Sequence, residues 1–129
     1  ISGWCALPAV IEGMAKLVDG GWGAIMQHNH DLALQGRDIL CERLGVEQPC
    51  PDEMIACIST IRLPGEIPSQ EKMHEPDPLH HILSEKYNIQ VPVWSWPSPA
   101  GRYLRISAQL YNSIEQYEQL AEALVNELK

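Results

Sequence analysis

Basic residues and long apolar runs are both scarce in this sequence of 129 residues. Nine Lys plus Arg stand against 17 Asp plus Glu, which gives a formal net charge of −8 at pH 7. Such a chain repels the phosphate backbone of nucleic acid and anionic lipid, so we expect neither as a partner. No stretch approaches the roughly 18 consecutive apolar residues that a membrane-spanning helix needs. With 45% hydrophobic residues, the chain is long and apolar enough to fold as a globular domain.

The four cysteines lack the close spacing of a metal or redox motif. Cys5, Cys41, Cys50 and Cys57 are separated by 36, 9 and 7 residues, so there is no CxxC pair. We therefore expect reduced, mostly buried thiols in a cytoplasmic protein. The residues after Ile1 have neither the initiator Met nor the basic and apolar order of a secretory signal, and we expect the chain to be part of a longer one.

Apolar periodicity predicts about four helices and three strands. Spacings of three and four predict a long helix from Trp22 to Leu44, with Gly45 as its C-cap. Gly36 lies within the apolar stripe of that helix and predicts a close crossing with another element. The other predicted elements are a helix from Pro8 to Val18, a helix over 78–87 capped by Asp77, a helix that opens on Asn112, and strands over 54–63, 89–96 and 102–110. Their order predicts an α+β fold, with a small sheet and helices layered on one face.

The last two predicted strands each present two unlike faces. Alternation places aliphatic residues on one face and polar or aromatic residues on the other. The second set consists of Gln90, Pro92, Trp94 and Trp96 on one strand and Tyr103, Arg105, Ser107 and Gln109 on the next. Arg105 among these aromatics is open to two interpretations, a cation–π contact with a ring or the binding of an anion. The aromatic cluster is larger than a usual exposed apolar patch, which indicates a ligand or a partner.

Histidine and cysteine positions argue against a metal site or a nucleophile. His28 and His30 differ by about 200° around a helix, so they cannot bind one ion together from that helix. The adjacent His80 and His81 also diverge. Cys57 lies in the predicted buried strand and is expected to be a core residue. We predict no metal site.

The segment Tyr103–Leu120, with the sequence YLRISAQLYNSIEQYEQL, resembles the closing strand and helix of the class V aminotransferases. These are fold-type I enzymes that depend on pyridoxal phosphate (PLP), and the resemblance is strongest to the isopenicillin N epimerase-like proteins. Ala6–Ile11 is similar to the LALPAAI segment of the family, residues 21–30 to its long linking helix, and Asn88–Val93 to the strand before its substrate-side loop. The order and spacing of these segments cover nearly the whole chain.

The resemblance implies a domain organisation. It identifies the chain as the C-terminal small domain of such an enzyme, with a three-stranded, mainly antiparallel sheet. Residues 1–20 would continue from a missing upstream large domain, and residues 21–129 would form the small α+β domain.

The resemblance also implies a role for Arg105. In the family, the arginine of an R-I-S motif binds the α-carboxylate of the substrate, and Arg105 stands in the matching position. A guanidinium suits this role because it offers two parallel hydrogen bonds to a carboxylate and stays protonated. Trp94, Trp96, Tyr103, Ser107 and Gln109 would then line the active site. Arg102, on the other side of the strand, is interpreted as a solvated turn residue.

The same resemblance implies that the catalytic lysine lies outside this chain. PLP enzymes need a lysine that forms a Schiff base with the cofactor. None of Lys16, Lys72, Lys86 and Lys129 has a context like that of the family lysine, and no phosphate-binding loop is evident. We therefore expect PLP, an amino-acid substrate and a homodimer for the full-length parent. For the chain alone we expect no bound cofactor, no catalytic residue and no activity.

Two questions about function stay open at this point. The loop over residues 94–101 has no cysteine, which disfavours a cysteine desulfurase and leaves an epimerase, an aminotransferase or another reaction through a substrate carbanion. The alternative class of function is a free-standing α+β regulatory module that binds a small acid or another protein on the Arg105 face.

Overall fold

Four α-helices and three β-strands occupy the part of the chain that the computed structural model describes, which is residues 2–65, 77–97 and 100–129. In chain order they are α1 (Ser2–Met14), α2 (Gly21–Leu44), β1 (Ile58–Leu63), α3 (Pro78–Tyr87), β2 (Val93–Pro97), β3 (Ala100–Ser107) and α4 (Ile114–Glu127), with a short 3₁₀ helix at Asp52–Met54. None of the helices in these ranges is both long and apolar enough to cross a lipid bilayer.

The three strands form one antiparallel sheet in the order β1-β3-β2. The central strand is β3, so its backbone is paired on both sides. The long helix α2 packs against β1, β3 and α4. Residues on the helix side of the sheet, such as Ile61, Leu104 and Ile106, are fully buried in the core. The predicted α+β fold with a small antiparallel sheet and helices on one face is therefore confirmed.

The long helix matches its prediction closely, and its glycine has the predicted purpose. Gly45 adopts a left-handed conformation with φ 65° and ends α2 as a C-cap. A Cβ atom at Gly36 would lie 2.9 Å from the Tyr117 ring of α4, which is closer than such atoms approach. The hydroxyl of Tyr117 donates to the Ser107 carbonyl at the end of β3, at 3.0 Å. Gly36 thus permits the close crossing of α2 and α4.

The predicted start of the first helix at Pro8 is wrong. The helix begins at Ser2 and Pro8 lies in its middle, although proline favours the first turn. The helix is exposed over almost its whole length, so water can supply the hydrogen bond that the proline nitrogen cannot donate. Residues 15–20 connect α1 to α2, and positive φ values of 91° at Gly20 and 58° at Gly21, the first residue of α2, turn the chain there. The domain boundary at residue 20 stays a prediction.

All three strands are shorter than, or displaced from, their predicted ranges. The amide of Ile55 donates to the Asp52 carbonyl, so residues 52–55 form a turn and β1 begins only at Ile58. Cys57, predicted in a buried strand, consequently precedes β1 and is half-buried. β2 begins at Val93 rather than at residue 89, and β3 runs over 100–107 rather than 102–110.

The caps of the last two helices follow familiar sequence rules. Asp77 caps α3 as predicted, since its side chain accepts a hydrogen bond from the amide of Leu79 at 3.0 Å. The predicted cap of α4, Asn112, is one residue early. Ser113 is the cap, and it forms a reciprocal capping box with Gln116.

Candidate functional site

The sheet face opposite the helices carries a connected set of polar and aromatic side chains. We call this set the open face, and every member is exposed or half-buried. It consists of Ile58, Thr60 and Arg62 from β1, Trp94 and Trp96 from β2, and Tyr103, Arg105 and Ser107 from β3. The strand register aligns these side chains in rows across the sheet.

The register brings five of the six predicted site residues together. Tyr103 is paired with Trp94 on one side and with Arg62 on the other. Arg105, two residues further along β3, is paired with Thr60, and Ser107 with Ile58. The predicted alternation of the last two strands is thus correct for Trp94, Trp96, Tyr103, Arg105 and Ser107.

Gln109 does not lie on the open face. The strand β3 ends at Ser107, and residues 109–112 form a turn in which the amide of Asn112 donates to the Gln109 carbonyl at 2.9 Å. The side-chain oxygen of Gln109 accepts a hydrogen bond from Asn29 of α2 at 3.1 Å. Because the strand stops two residues earlier, the predicted alternation does not reach Gln109, and its side chain points to the helix layer.

Arg105 is an exposed cation on the central strand. Its amide donates to the Pro92 carbonyl at 3.2 Å, which extends the pairing between the β2 side and β3 beyond the start of β2. No hydrogen bond or ion pair of its guanidinium is found among residues 2–65, 77–97 and 100–129. Within the same ranges the cation–π contact is that of Lys86 over Tyr87, 5.1 Å from the ring centroid, and Arg105 makes none. The described residues thus show no cation–π contact for Arg105, and anion binding stays a prediction.

The charge of the open face has one sign. Its eight side chains include Arg62 and Arg105 and no Asp or Glu, although the chain as a whole carries −8. Arg62 donates to the Ala100 carbonyl at 3.2 Å and borders a hollow that Glu47 also lines. In the described part of the chain, the Arg105 guanidinium has neither a carbonyl acceptor nor an acidic residue lining its hollow. It is therefore the cation of this face that is best placed to receive an external anion.

Two hollows of different chemistry adjoin Arg105. One, of about 480 Å³, lies between residues 87–92, the end of β3 and α4, and its rim carries Arg105 with several side-chain amides. The other, of about 380 Å³, is shallow and almost wholly apolar, and it is lined by Thr60, Trp94, Trp96 and Tyr103. Arg105 lines the first hollow and is paired across the sheet with Thr60 of the second, so a carboxylate bound to it could extend into either.

Arg102 is not a solvated turn residue, as the sequence interpretation had it. Its side chain points to the helix side of the sheet, where Nε and a terminal nitrogen each lie 2.7 Å from an oxygen of Asp77. The Asp77 side chain is 3% exposed and that of Arg102 is 18% exposed. Burial raises the pKa of Asp77, but hydrogen bonds from Arg102 and from the Leu79 amide outweigh it and lower the pKa overall. This ion pair fastens the start of α3 to β3.

The lysines of the described ranges do not fit a Schiff base with PLP. Lys86 is exposed and its amine lies 2.7 Å from Glu127, whose hydrogen bond raises the lysine pKa. Schiff-base formation instead needs a neutral amine, which a lowered pKa favours. Lys129 donates to Asn126 at 3.3 Å, Lys16 is exposed, and Lys72 lies outside the described residues. The same part of the chain contains no group of three or more His, Cys, Asp or Glu arranged to hold a metal ion.

Sequence reasoning missed the contribution of β1 to this site. It treated residues 54–63 as one buried strand, whereas Ile58, Thr60 and Arg62 face away from the helices. The signal was present, because the polar Thr60 and Arg62 alternate with the aliphatic Ile61 and Leu63.

The fold and the open face together define a small α+β domain that exposes an arginine beside an aromatic cluster. Three named proteins are similar to this sequence over more than nine-tenths of its length. L-cysteine desulfhydrase from Arabidopsis thaliana is 30% identical over 95% of the chain, and isopenicillin N epimerase from Amycolatopsis lactamdurans is 32% identical over 94%. A probable chloroplastic L-cysteine desulfhydrase from Arabidopsis thaliana is 29% identical over 92%. No model of a known protein family matches the chain.

These relatives are class V aminotransferase-like enzymes, and this chain is homologous to a small part of them. The resemblance that its motifs carry is therefore confirmed. The chain spans only 26–30% of the length of the three relatives named above.

Proposed function

We propose that this chain supplies the substrate-carboxylate site of a PLP-dependent class V aminotransferase-like enzyme that acts on an amino acid. The observation that carries the proposal is the position of Arg105, exposed on the central strand of a face that has no acidic side chain. Although the chain has a net charge of −8, this face carries two arginines and no acidic side chain, which suits an anionic ligand.

Arg105 would bind and orient the substrate. A guanidinium forms two parallel hydrogen bonds with a carboxylate, and each hydrogen bond to a charged group contributes about 1.5–3 kcal/mol. Because β3 is paired with β1 and β2, the backbone at Arg105 is held on both sides. A carboxylate fixed at this point leaves the substrate Cα–H bond in one orientation, which is a contribution of positioning.

PLP would be held by residues outside this chain. When bound, it stabilises the negative charge that develops at the substrate Cα. The described residues do not fit the cofactor, since Lys86 is paired with Glu127 and the remaining described lysines lie on the surface. We therefore assign the Schiff-base lysine and the phosphate site to an upstream large domain. We also propose a homodimer for the full-length protein and no turnover for the chain alone.

The reaction is proposed only at the level that the relatives share. Their names specify two reactions, a desulfhydration of cysteine and an epimerisation of isopenicillin N. An epimerase, an aminotransferase and a desulfhydrase all need a bound amino-acid carboxylate, and this requirement is the one that Arg105 meets. A cytoplasmic location remains a proposal, and one relative is described as chloroplastic.

The test is Arg105→Ala in the longer protein that contains this chain. We expect KM for the amino-acid substrate to rise at least about 100-fold, because two charged hydrogen bonds are lost, while the absorbance of bound PLP is unchanged. Arg105→Lys should recover only part of the affinity, since an ammonium cannot form the paired bonds.

The control is Arg62→Ala, which removes a cation from the same face, paired across the sheet with Tyr103. It should change KM less than about 3-fold, since its guanidinium already donates to the Ala100 carbonyl. An unchanged KM in Arg105→Ala would remove Arg105 from the site. If the gene encodes no lysine-bearing PLP domain with this chain, the enzyme proposal fails and the free-standing binding module becomes the better interpretation.

A further inference from the structure

An aromatic cluster lies directly beside Arg105 on the open face. Trp94 and Tyr103 are paired across β2 and β3, and Trp96 is paired with Gly101 in the next row. Together with Thr60 they line the apolar hollow of about 380 Å³. Small-molecule sites have cavities of this order, lined by aromatic residues with a few polar groups that fix orientation.

The core does not account for these side chains. The core residues of the same strands, Val93 and Leu104, lie on the helix side, so the aromatic rings contribute nothing to the packing between sheet and helices. Trp96 is 54% exposed. A tryptophan that is half-exposed on a sheet keeps a large apolar surface in water, which is unfavourable unless a ligand or partner covers it.

The ring of Tyr103 leans away from Arg105. A Cβ atom at Gly101 would lie 3.1 Å from Cε2 of Tyr103 and 3.1 Å from Nε of Arg62, so both side chains lie over that glycine. Gly101 precedes Tyr103 on β3, whereas Arg105 follows it. The Tyr103 ring therefore leaves the Arg105 guanidinium uncovered and forms a flat apolar surface next to it.

The spacing of the strand sets the size of a ligand that contacts both features. Residues two apart on one face are roughly 6.8 Å apart along the strand. A carboxylate on Arg105 whose substituent covers Tyr103 and Trp94 needs a body of about the size of a leucine or phenylalanine side chain. The side chains of alanine and cysteine are too short to reach.

We propose that the open face selects amino acids with a large apolar side chain, which Trp94, Trp96 and Tyr103 contact while Arg105 binds the carboxylate. This inference rests on the proposed function and adds the substrate class. The open face has no acidic residue to pair with the amino group of the substrate, so this group is directed away from the sheet. The neighbouring hollow of about 480 Å³, which has Gln90, Asn112 and Gln116 among its lining residues, would instead suit a polar side chain.

The aromatic hollow is favoured over the polar one by its position. The polar hollow is partly formed by Ile106, Tyr117 and Leu120, which are buried residues of the helix side. It lies at the edge of the sheet, beside residues 87–92, which precede β2. Arg105 also lines the polar hollow, but the aromatic hollow is formed wholly by side chains of the open face, among them Thr60, the residue paired with Arg105.

The first test measures binding to the chain itself, with carboxylates that need no cofactor. In an ¹⁵N NMR spectrum, the indole N–H signals of Trp94 and Trp96 report on the open face, and those of Trp4 and Trp22 report on α1 and the start of α2. We expect 3-phenylpropanoate to shift the signals of Trp94 and Trp96 and to leave those of Trp4 and Trp22 in place. Its affinity should exceed that of acetate, and that of 3-phenylpropanol, at least 10-fold.

Variants separate the two contributions. Trp96→Ala should weaken 3-phenylpropanoate about 10-fold without affecting acetate, whereas Arg105→Ala should weaken both acids. Trp22→Ala is the matched control, and it should affect neither. The same acids are also measured as inhibitors of the longer protein, with the same order expected, so that poor folding of the isolated chain does not decide the result.

Failure of this inference differs from failure of the proposed function. If acetate and 3-phenylpropanoate bound with equal affinity and Arg105→Ala abolished the binding of both, the proposed apolar selection would be overturned and the carboxylate site would stand. Tighter binding of glutaramate, with shifts at Gln90 and Asn112, would place the substrate side chain in the polar hollow and also overturn it. If Arg105→Ala still bound both acids as well as the wild type does, both proposals would be overturned.

Discussion

Replacing Asp77 by asparagine should weaken the attachment of α3 to the sheet while keeping the helix cap. Asparagine caps helices about as well as aspartate, so the hydrogen bond from the Leu79 amide is retained. What is lost is the ion pair with Arg102, whose two nitrogens each lie 2.7 Å from the carboxylate. Removing one partner of a buried pair costs about 3–5 kcal/mol. Arg102 keeps 18% exposure, so we expect the lower end, about 3 kcal/mol.

The assay is a double-mutant cycle in urea, followed by far-UV circular dichroism. Asp77→Asn, Arg102→Met and the double variant are compared with the wild type. We expect a coupling free energy of about 2–3 kcal/mol and a fall in Tm of about 10 °C for Asp77→Asn, at roughly 3–4 °C per kcal/mol for a domain of this size. Free energies that add within about 0.5 kcal/mol would refute the role of the ion pair.

The pH dependence gives an independent check on the same contact. The pKa of Asp77 in the folded state is below its ordinary value of 3.8, because the hydrogen bonds from Arg102 and Leu79 outweigh burial. A carboxyl group with a lowered pKa contributes stability above its unfolded pKa and loses it as pH falls through the folded pKa. The difference in unfolding free energy between wild type and Asp77→Asn should be constant from pH 7 to about pH 5 and shrink below about pH 4. A difference that is the same at pH 7 and pH 2.5 would contradict this account.

Two further predictions concern the helix layer. Gly36→Ala should lower the unfolding free energy by about 1–3 kcal/mol, because its Cβ would lie 2.9 Å from the Tyr117 ring. Gly23→Ala in the same helix has open space and should raise the unfolding free energy by up to about 1 kcal/mol, so equal effects of the two variants in thermal unfolding would contradict the close crossing. Burial raises the pKa of the Cys41 thiol, whereas Cys5 is exposed. In the 129-residue chain, iodoacetamide should therefore modify Cys5 at least 10-fold faster than Cys41, as measured by mass spectrometry. Comparable rates would show that Cys41 is accessible.

Local signals explain which elements of this fold are predictable. The long helix α2 has a sustained apolar stripe and ends on Gly45, so its predicted range of 22–44 agrees with the observed range of 21–44. Asp77 and Pro78 announce the start of α3 because the cap and the first turn are set by neighbouring residues. The predicted ranges of the strands were less accurate, because the ends of a strand depend on pairing with residues distant in sequence. The turn at 52–55, closed by the amide of Ile55, shortened β1 in a way that apolar content does not reveal.

The candidate site was predictable as far as alternation along a strand reaches. Trp94, Tyr103 and Arg105 share a face because residues two apart in a strand do so wherever the sheet lies. The role of Arg102 was missed because its partner, Asp77, is 25 residues away and on a different element. The exclusion of Gln109 depended on where β3 stops, which its local sequence does not mark.

Tyr117 connects the long helix to the strand that carries Arg105. Its ring covers Gly36, and its hydroxyl donates to the carbonyl of Ser107, two residues beyond Arg105. In evolutionary terms these two positions constrain each other, because a larger residue at position 36 would require a smaller residue at position 117. A smaller residue at 117 would in turn release the end of β3. We therefore expect positions 36 and 117 to covary among related sequences, with glycine accompanying tyrosine wherever position 105 is an arginine.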